Sequence, residues 1–156
     1  MTQSAPRSID QYLAQLRAAL AGEDAALIQD ALYDAEEYLR AEVAAHPDKA
    51  EPDVLELIAS TYGDPEEVAA AYRDTETARR TFDALSAAAQ RCGTGSYGAL
   101  LIGELKSDPQ SLRIRPGNCG RDYRLKGSVL IEVTFCGLPD SVSEIVMTNI
   151  AKRIPG

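Results

Sequence analysis

Few residues in this 156-residue chain could do chemistry, and their types and spacing limit what that chemistry could be. His46 is the single histidine, so any Ser-His-Asp or Cys-His arrangement would have to use it. It stands in His46-Pro47-Asp48-Lys49, a helix-breaking segment with no nucleophile beside it, and reads as an ordinary loop histidine. Asp34, Glu36 and Glu37 cluster, but without histidine or cysteine ligands for a transition metal or a loop of EF-hand spacing for calcium. Between Cys92 and Cys119 lie 26 residues, and between Cys119 and Cys136 lie 16, whereas zinc sites want close pairs. Cys136 ends an apolar run and reads as a small buried residue. Gly93-x-Gly95-x-x-Gly98 spells the dinucleotide fingerprint, yet it follows a helical segment rather than a strand and reads as a flexible junction. Arg113, Arg115, Arg121, Arg124 and Lys126 form a basic run with Tyr123 as its one aromatic, which suits a solvated face better than a nucleic-acid platform. These residues predict no catalytic, cofactor-binding or metal-binding group, and no enzyme.

The charge that surrounds them is unevenly spread. Residues 1–80 hold 17 acids and 7 bases, net −10, and residues 81–156 hold 7 acids and 9 bases, net +2. The overall −8 argues against a nucleic-acid grip and against docking on an anionic membrane. Eighteen of 24 alanines lie in the first half and nine of 11 glycines beyond residue 90, so the chain changes from helical to turn-rich. No apolar run is long enough to span a membrane, and Met1 to Ser8 lacks the pattern of a signal peptide. With an odd cysteine count, this predicts a cytoplasmic, reducing setting.

Helix punctuation is dense in the acidic half. Ser8-Ile9-Asp10-Gln11 fits a capping box, and Ile9, Tyr12, Leu13, Leu16 and Leu20 follow at helical spacing until Gly22. Asp24 can cap a second helix with Leu27, Ile28, Ala31, Ala35, Tyr38 and Leu39 on one face and Asp30, Asp34, Glu36 and Glu37 elsewhere. Pro52 suits a first turn, and Val54, Leu57, Ile58 and Thr61 or Tyr62 form the buried side of a third helix stopped by Gly63. Asp64-Pro65-Glu66-Glu67 starts a fourth: a capping acid, proline at N1, then two glutamates facing the helix dipole. Its apolar stripe runs to about Gln90.

Taken in order, Tyr12-Leu13-x-x-Leu16-x-x-x-Leu20, Asp30-x-x-x-Asp34-x-x-Glu37-Tyr38-Leu39 and Ile58-x-x-x-Tyr62-Gly63-Asp64-Pro65-Glu66-Glu67-Val68-Ala69-x-x-Tyr72 resemble the HAAS domain, the HTH-associated α-helical signalling family, over residues 8–76. The resemblance implies a non-enzymatic helical module that docks and modulates a PadR-like winged-helix repressor. Members of that family usually continue into membrane helices; here no such segment follows residue 80, so docking carries over and tethering does not. The candidate partner-binding residues are the acids Asp30, Asp34 and Glu37, the block Tyr62, Gly63, Asp64, Pro65, Glu66 and Val68, and Tyr72.

Beyond Pro109 the period shortens. Leu112 to Arg115 alternates, Pro116-Gly117-Asn118 is turn chemistry, and Ser128 to Phe135 places Val129, Ile131, Val133 and Phe135 on one face of a strand. After the turn at Gly137-Leu138-Pro139-Asp140, Val142 to Ile150 predicts a second, antiparallel strand. This hairpin is faintly similar to the C-terminal domain of TonB-type energy transducers, which would imply a transport or adaptor role. The expected fold is mainly α, α+β overall. A disordered N-terminus (1–7) leads into a bundle of three to four helices (8–90), followed by a flexible linker (91–110). A small β-rich tail containing a hairpin (111–156) follows, and the abrupt change of composition near residue 90 also fits a shifted reading frame or a recombined end that was never selected to fold. The free edge of such a hairpin favours pairing with another copy.

Overall fold

The computed structural model describes residues 4–155; residues 1–3 of the expected disordered terminus lie outside these. Ser8 opens helix α1 (Ile9–Ala19) by accepting the Gln11 amide at 3.1 Å. Gln11 reaches back one residue further than a standard capping box, to the Arg7 amide at 2.9 Å. Gln15 Nε2 donates to the Ser4 carbonyl, so residues 4–7 are tied to the first turns of α1. Asp24 caps α2 (Ala25–Ala45) through the Ala26 amide, and His46 ends it before Pro47. Helix α3 (Glu51–Thr61) carries Pro52 in its first turn, where a missing N–H costs nothing. Helix α4 (Pro65–Thr94) follows the Gly63-Asp64 junction.

Two compact units result, one ending at Arg73 and one starting at Asp74. The first is the bundle of α1, α2, α3 and the opening turns of α4. Tyr12, Leu16, Leu20, Ala31, Ala35, Leu39 and Val54 are fully buried in its core, joined by Leu55, Ile58, Val68 and Ala69. Each large side chain there contributes about 1.5–3 kcal/mol. The inward face of α3 is Val54, Leu55 and Ile58, a narrow arc of the helical wheel. Leu57, expected inside, is off that arc and 42 % exposed.

The second unit contains the rest of α4, the single turn α5 (Gly98–Leu101), strands β1 (Glu104–Asp108), β2 (Ser111–Arg115), β3 (Cys119–Lys126) and β4 (Val129–Cys136), and helix α6 (Asp140–Ala151). The strands form one antiparallel meander in the order β1-β2-β3-β4. One sheet face, with Leu112, Ile114, Tyr123 and Leu125, shares a core with Phe82 and Ala89 of α4. On the opposite face Ile131 packs with Met147 and Ala151 of α6. Val129, Ile131, Val133 and Phe135 do share a face, alternating as period two requires.

Three expectations for this unit need correction. Val142 to Ile150 is helical, so the strand–turn–strand behind the likeness to energy transducers is strand–turn–helix. Its β-branched residues suggested a strand, but Ser143, Met147 and Ala151 recur every four residues and are the ones buried, and packing on the sheet outweighs local propensity. Residues 91–110 hold the end of α4, α5 and β1. Two of their glycines, Gly98 and Gly103, serve close packing: a Cβ on Gly98 would lie 2.0 Å from the Gly93 carbonyl oxygen. Third, Cys119 and Cys136 form a disulfide, and Cys136 is exposed rather than buried. The β3–β4 register sets them directly opposite, a relation that their spacing in sequence conceals. Cys92 is free and exposed. Among the described residues no helix is long and apolar enough to cross a membrane.

Candidate interaction site

The expected site residues lie in the first unit, and the structure sorts them into two groups. Gly63, Pro65 and Val68 are buried. Gly63 has φ 120°, a conformation that disfavours any side chain, and its carbonyl accepts the Tyr12 hydroxyl at 2.8 Å. Asp64 and Glu67 complete a reciprocal capping box: Asp64 Oδ1 accepts the Glu67 amide at 2.9 Å and Glu67 Oε2 accepts the Asp64 amide at 3.1 Å. The Gly-Asp-Pro-Glu-Glu block thus builds the α3–α4 junction, and within it Asp64 and Glu66 remain exposed. Asp64→Ala should lower the stability of the first unit by about 1 kcal/mol, read as a shifted urea midpoint at unchanged slope.

Asp30, Asp34 and Glu37 form the second group. At intervals of four and three residues they occupy one side of α2, and all three are exposed. Beneath this acidic row lies a layer of tyrosines. Tyr72 of α4 donates its hydroxyl to Asp34 Oδ2 at 2.8 Å. Tyr62 stacks on Tyr38 with ring centroids 4.4 Å apart and planes inclined by 20°. Burial first, and then the Asp34 hydrogen bond and charge, push the Tyr72 phenol well above its usual range. Tyr62 is raised by burial, then by the charge of Asp34 and by Tyr38. Both phenols are therefore held neutral, and Tyr72 donates to the carboxylate beside it. By helical spacing Tyr38 belongs to the apolar face of α2. Its one sequence signal as a partner for Tyr62 is its place directly after Glu37, because the two rings are 24 positions apart.

The other side of α2 borders a shallow hollow of about 540 Å³ lined by Arg17, Ala25, Ile28, Gln29, Leu32, Tyr33 and Glu36. Tyr33 is 67 % exposed there. His46 Nδ1 lies 2.9 Å from the Glu42 carbonyl oxygen, a local contact at the end of α2. Among the described residues no three His, Cys, Asp or Glu side chains are grouped to hold a metal ion.

Residues 11–71 match the family model described as HAAS. No curated protein matches this chain, and no solved structure does.

Proposed function

Taking residues 11–71 as a HAAS domain, we propose that the helical unit is a signalling module that docks a PadR-like winged-helix repressor through the exposed acidic side of α2 and thereby modulates it. The family assignment supports an interaction role. The observation that carries the choice of surface is the row Asp30, Asp34 and Glu37 over the Tyr38, Tyr62 and Tyr72 layer. A DNA-binding repressor carries basic surface to neutralise phosphates, and an acidic row is its electrostatic complement. The Tyr72 hydrogen bond fixes one carboxylate of that row, which lowers the ordering cost of binding.

Isothermal titration of the full chain with the repressor tests this reading. Binding in the micromolar range that weakens as salt is raised is expected. Reversing charge with Asp30→Lys and Glu37→Lys should weaken it by about tenfold or more, since like charges across an interface cost several kcal/mol. Reversal at Glu56, exposed on α3, should leave it unchanged. Absence of binding by the folded chain removes the proposal.

A further inference from the structure

The sheet of the second unit has two edges of opposite character. The β1 edge is five residues long and charged at every second position, with Glu104, Lys106 and Asp108 exposed and Glu104 paired to Lys106 at 2.9 Å. Short, charged edges resist strand addition. The β4 edge runs eight residues with Glu132 as its single charge and without proline. Its register with β3 is unbroken from Lys126↔Val129 to Cys119↔Cys136, so no bulge twists it away. Among the described residues no strand pairs with its outer side.

Helix α6 lends that edge an apolar flank. It lies against β4 and β3, and Glu144 and Asp140 reach across to Arg113 and Arg115 of β2. At about 100° per residue, Val142 and Val146 stand on the side of α6 turned away from Glu144, toward the β4 edge. They are 37 % and 40 % exposed, and Ile150, one turn on, is 39 % exposed. An unblunted strand edge and a row of exposed aliphatic side chains thus lie on the same side of the unit.

We propose that β4 pairs antiparallel with β4 of a second copy of this chain, joining two four-stranded sheets into one of eight. A second copy fits because, of the registers that keep Glu132 from facing itself, one pairs nearly the whole strand. A twofold axis at Glu132 would set two carboxylates against each other. A twofold axis at Val133 places Val133 against itself and Ile131 opposite Phe135 on the α6 face. On the other face it places Glu132 opposite Thr134. The same axis brings the Val142–Val146–Ile150 sides of the two α6 helices toward one another. The contact is isologous and closes as a dimer.

Sedimentation of the full chain across a concentration series tests the pairing. The expected result is a reversible monomer–dimer equilibrium. Thr134 is exposed and faces Arg121 within its own sheet, so a glutamate there is tolerated by the fold. Across the twofold axis it would meet Glu132 twice. Thr134→Glu should therefore raise the dimer dissociation constant by roughly tenfold, and Thr134→Lys should lower it by several-fold. Circular dichroism checks that both variants stay folded. A chain that is monomeric up to about 1 mM overturns the proposal. So does a dimer indifferent to both substitutions, which would place the interface elsewhere.

Discussion

Asp122→Ala should remove about 3 kcal/mol from the stability of the sheet unit, because it takes the buried anion out of the network and leaves the half-buried Arg115 guanidinium with only the exposed Asp140 carboxylate. Asp122 is 4 % exposed. Arg115 grips it with two bonds, Nη1 to Oδ1 at 2.6 Å and Nη2 to Oδ2 at 3.1 Å. Ser143, buried on α6, donates its hydroxyl to the same carboxylate, and Arg113 adds a longer ion pair at 3.8 Å. Arg115 itself is held by Asp140 and lies 4.9 Å from the centre of the Phe135 ring. This network joins β2, β3 and α6. Amide hydrogen exchange in β3 and β4 reads the loss strand by strand within the unit itself. Arg115→Met alone should be comparably damaging. The pair Asp122→Leu with Arg115→Met should recover much of the loss, since apolar replacement of both partners removes the stranded charge. Strict additivity of the two changes would refute the network as the cause.

The same carboxylate sets an acid limit. Burial by itself would raise its pKa, but the Arg115 and Ser143 hydrogen bonds and the charges of Arg115 and Arg113 outweigh that and leave it lowered. A lowered folded-state pKa stabilises above the ordinary carboxylate value of about 4. That contribution disappears as pH falls through the folded-state pKa. Protection of β3 and β4 should therefore decline below about pH 4 in the parent chain. In Asp122→Asn it should start lower and change less over that range.

Tyr12→Ala should cost the helical unit about 3–5 kcal/mol, the usual penalty for deleting a fully buried aromatic. Tyr12 is 0 % exposed and touches the core from its first helix, while its hydroxyl holds the Gly63 carbonyl 51 residues away. Tyr12→Phe separates the two effects. It keeps the packing and should cost about 1–3 kcal/mol by leaving a carbonyl unsatisfied at the α3–α4 junction. The phenol is raised far above its usual value, first by burial and then by Tyr62, Asp64, Glu67 and Tyr38. A raised folded-state pKa gives stability that is complete below the unfolded value of about 10 and is lost as pH climbs beyond it. Urea midpoints should accordingly fall above about pH 10, and less steeply in Tyr12→Phe. An identical alkaline slope in the two proteins would show that other tyrosines carry the effect.

Local chemistry made the first unit legible. A helix start is written in one cap residue and the three that follow, as at Ser8, Asp24 and Asp64, and a stop in one glycine, as at Gly63. These bonds span two to four residues, so periodicity and capping together located every helix of the bundle. The acidic row on α2 was legible for the same reason, since helical spacing alone puts Asp30, Asp34 and Glu37 on one side. Its tyrosine layer was not, because Tyr72 meets Asp34 across 38 residues and Tyr62 meets Tyr38 across 24.

The second unit depends almost wholly on distant partners. Val142, Val146 and Ile150 have strand-forming side chains, yet Ser143 and Met147 find their burial only when the segment coils over β3 and β4. Cys119 meets Cys136 through strand register, and Arg115 meets Asp122 through a turn between β2 and β3. By itself, the sequence determined the capped helical bundle, its resemblance to the HAAS family and the side of α2 that carries acid. Only the tertiary structure decided that the tail is a four-stranded sheet under a helix, with a disulfide and a buried ion pair. Caps and turns act over a few bonds, whereas strand pairing and burial act between residues whose neighbours exist only once the chain has folded.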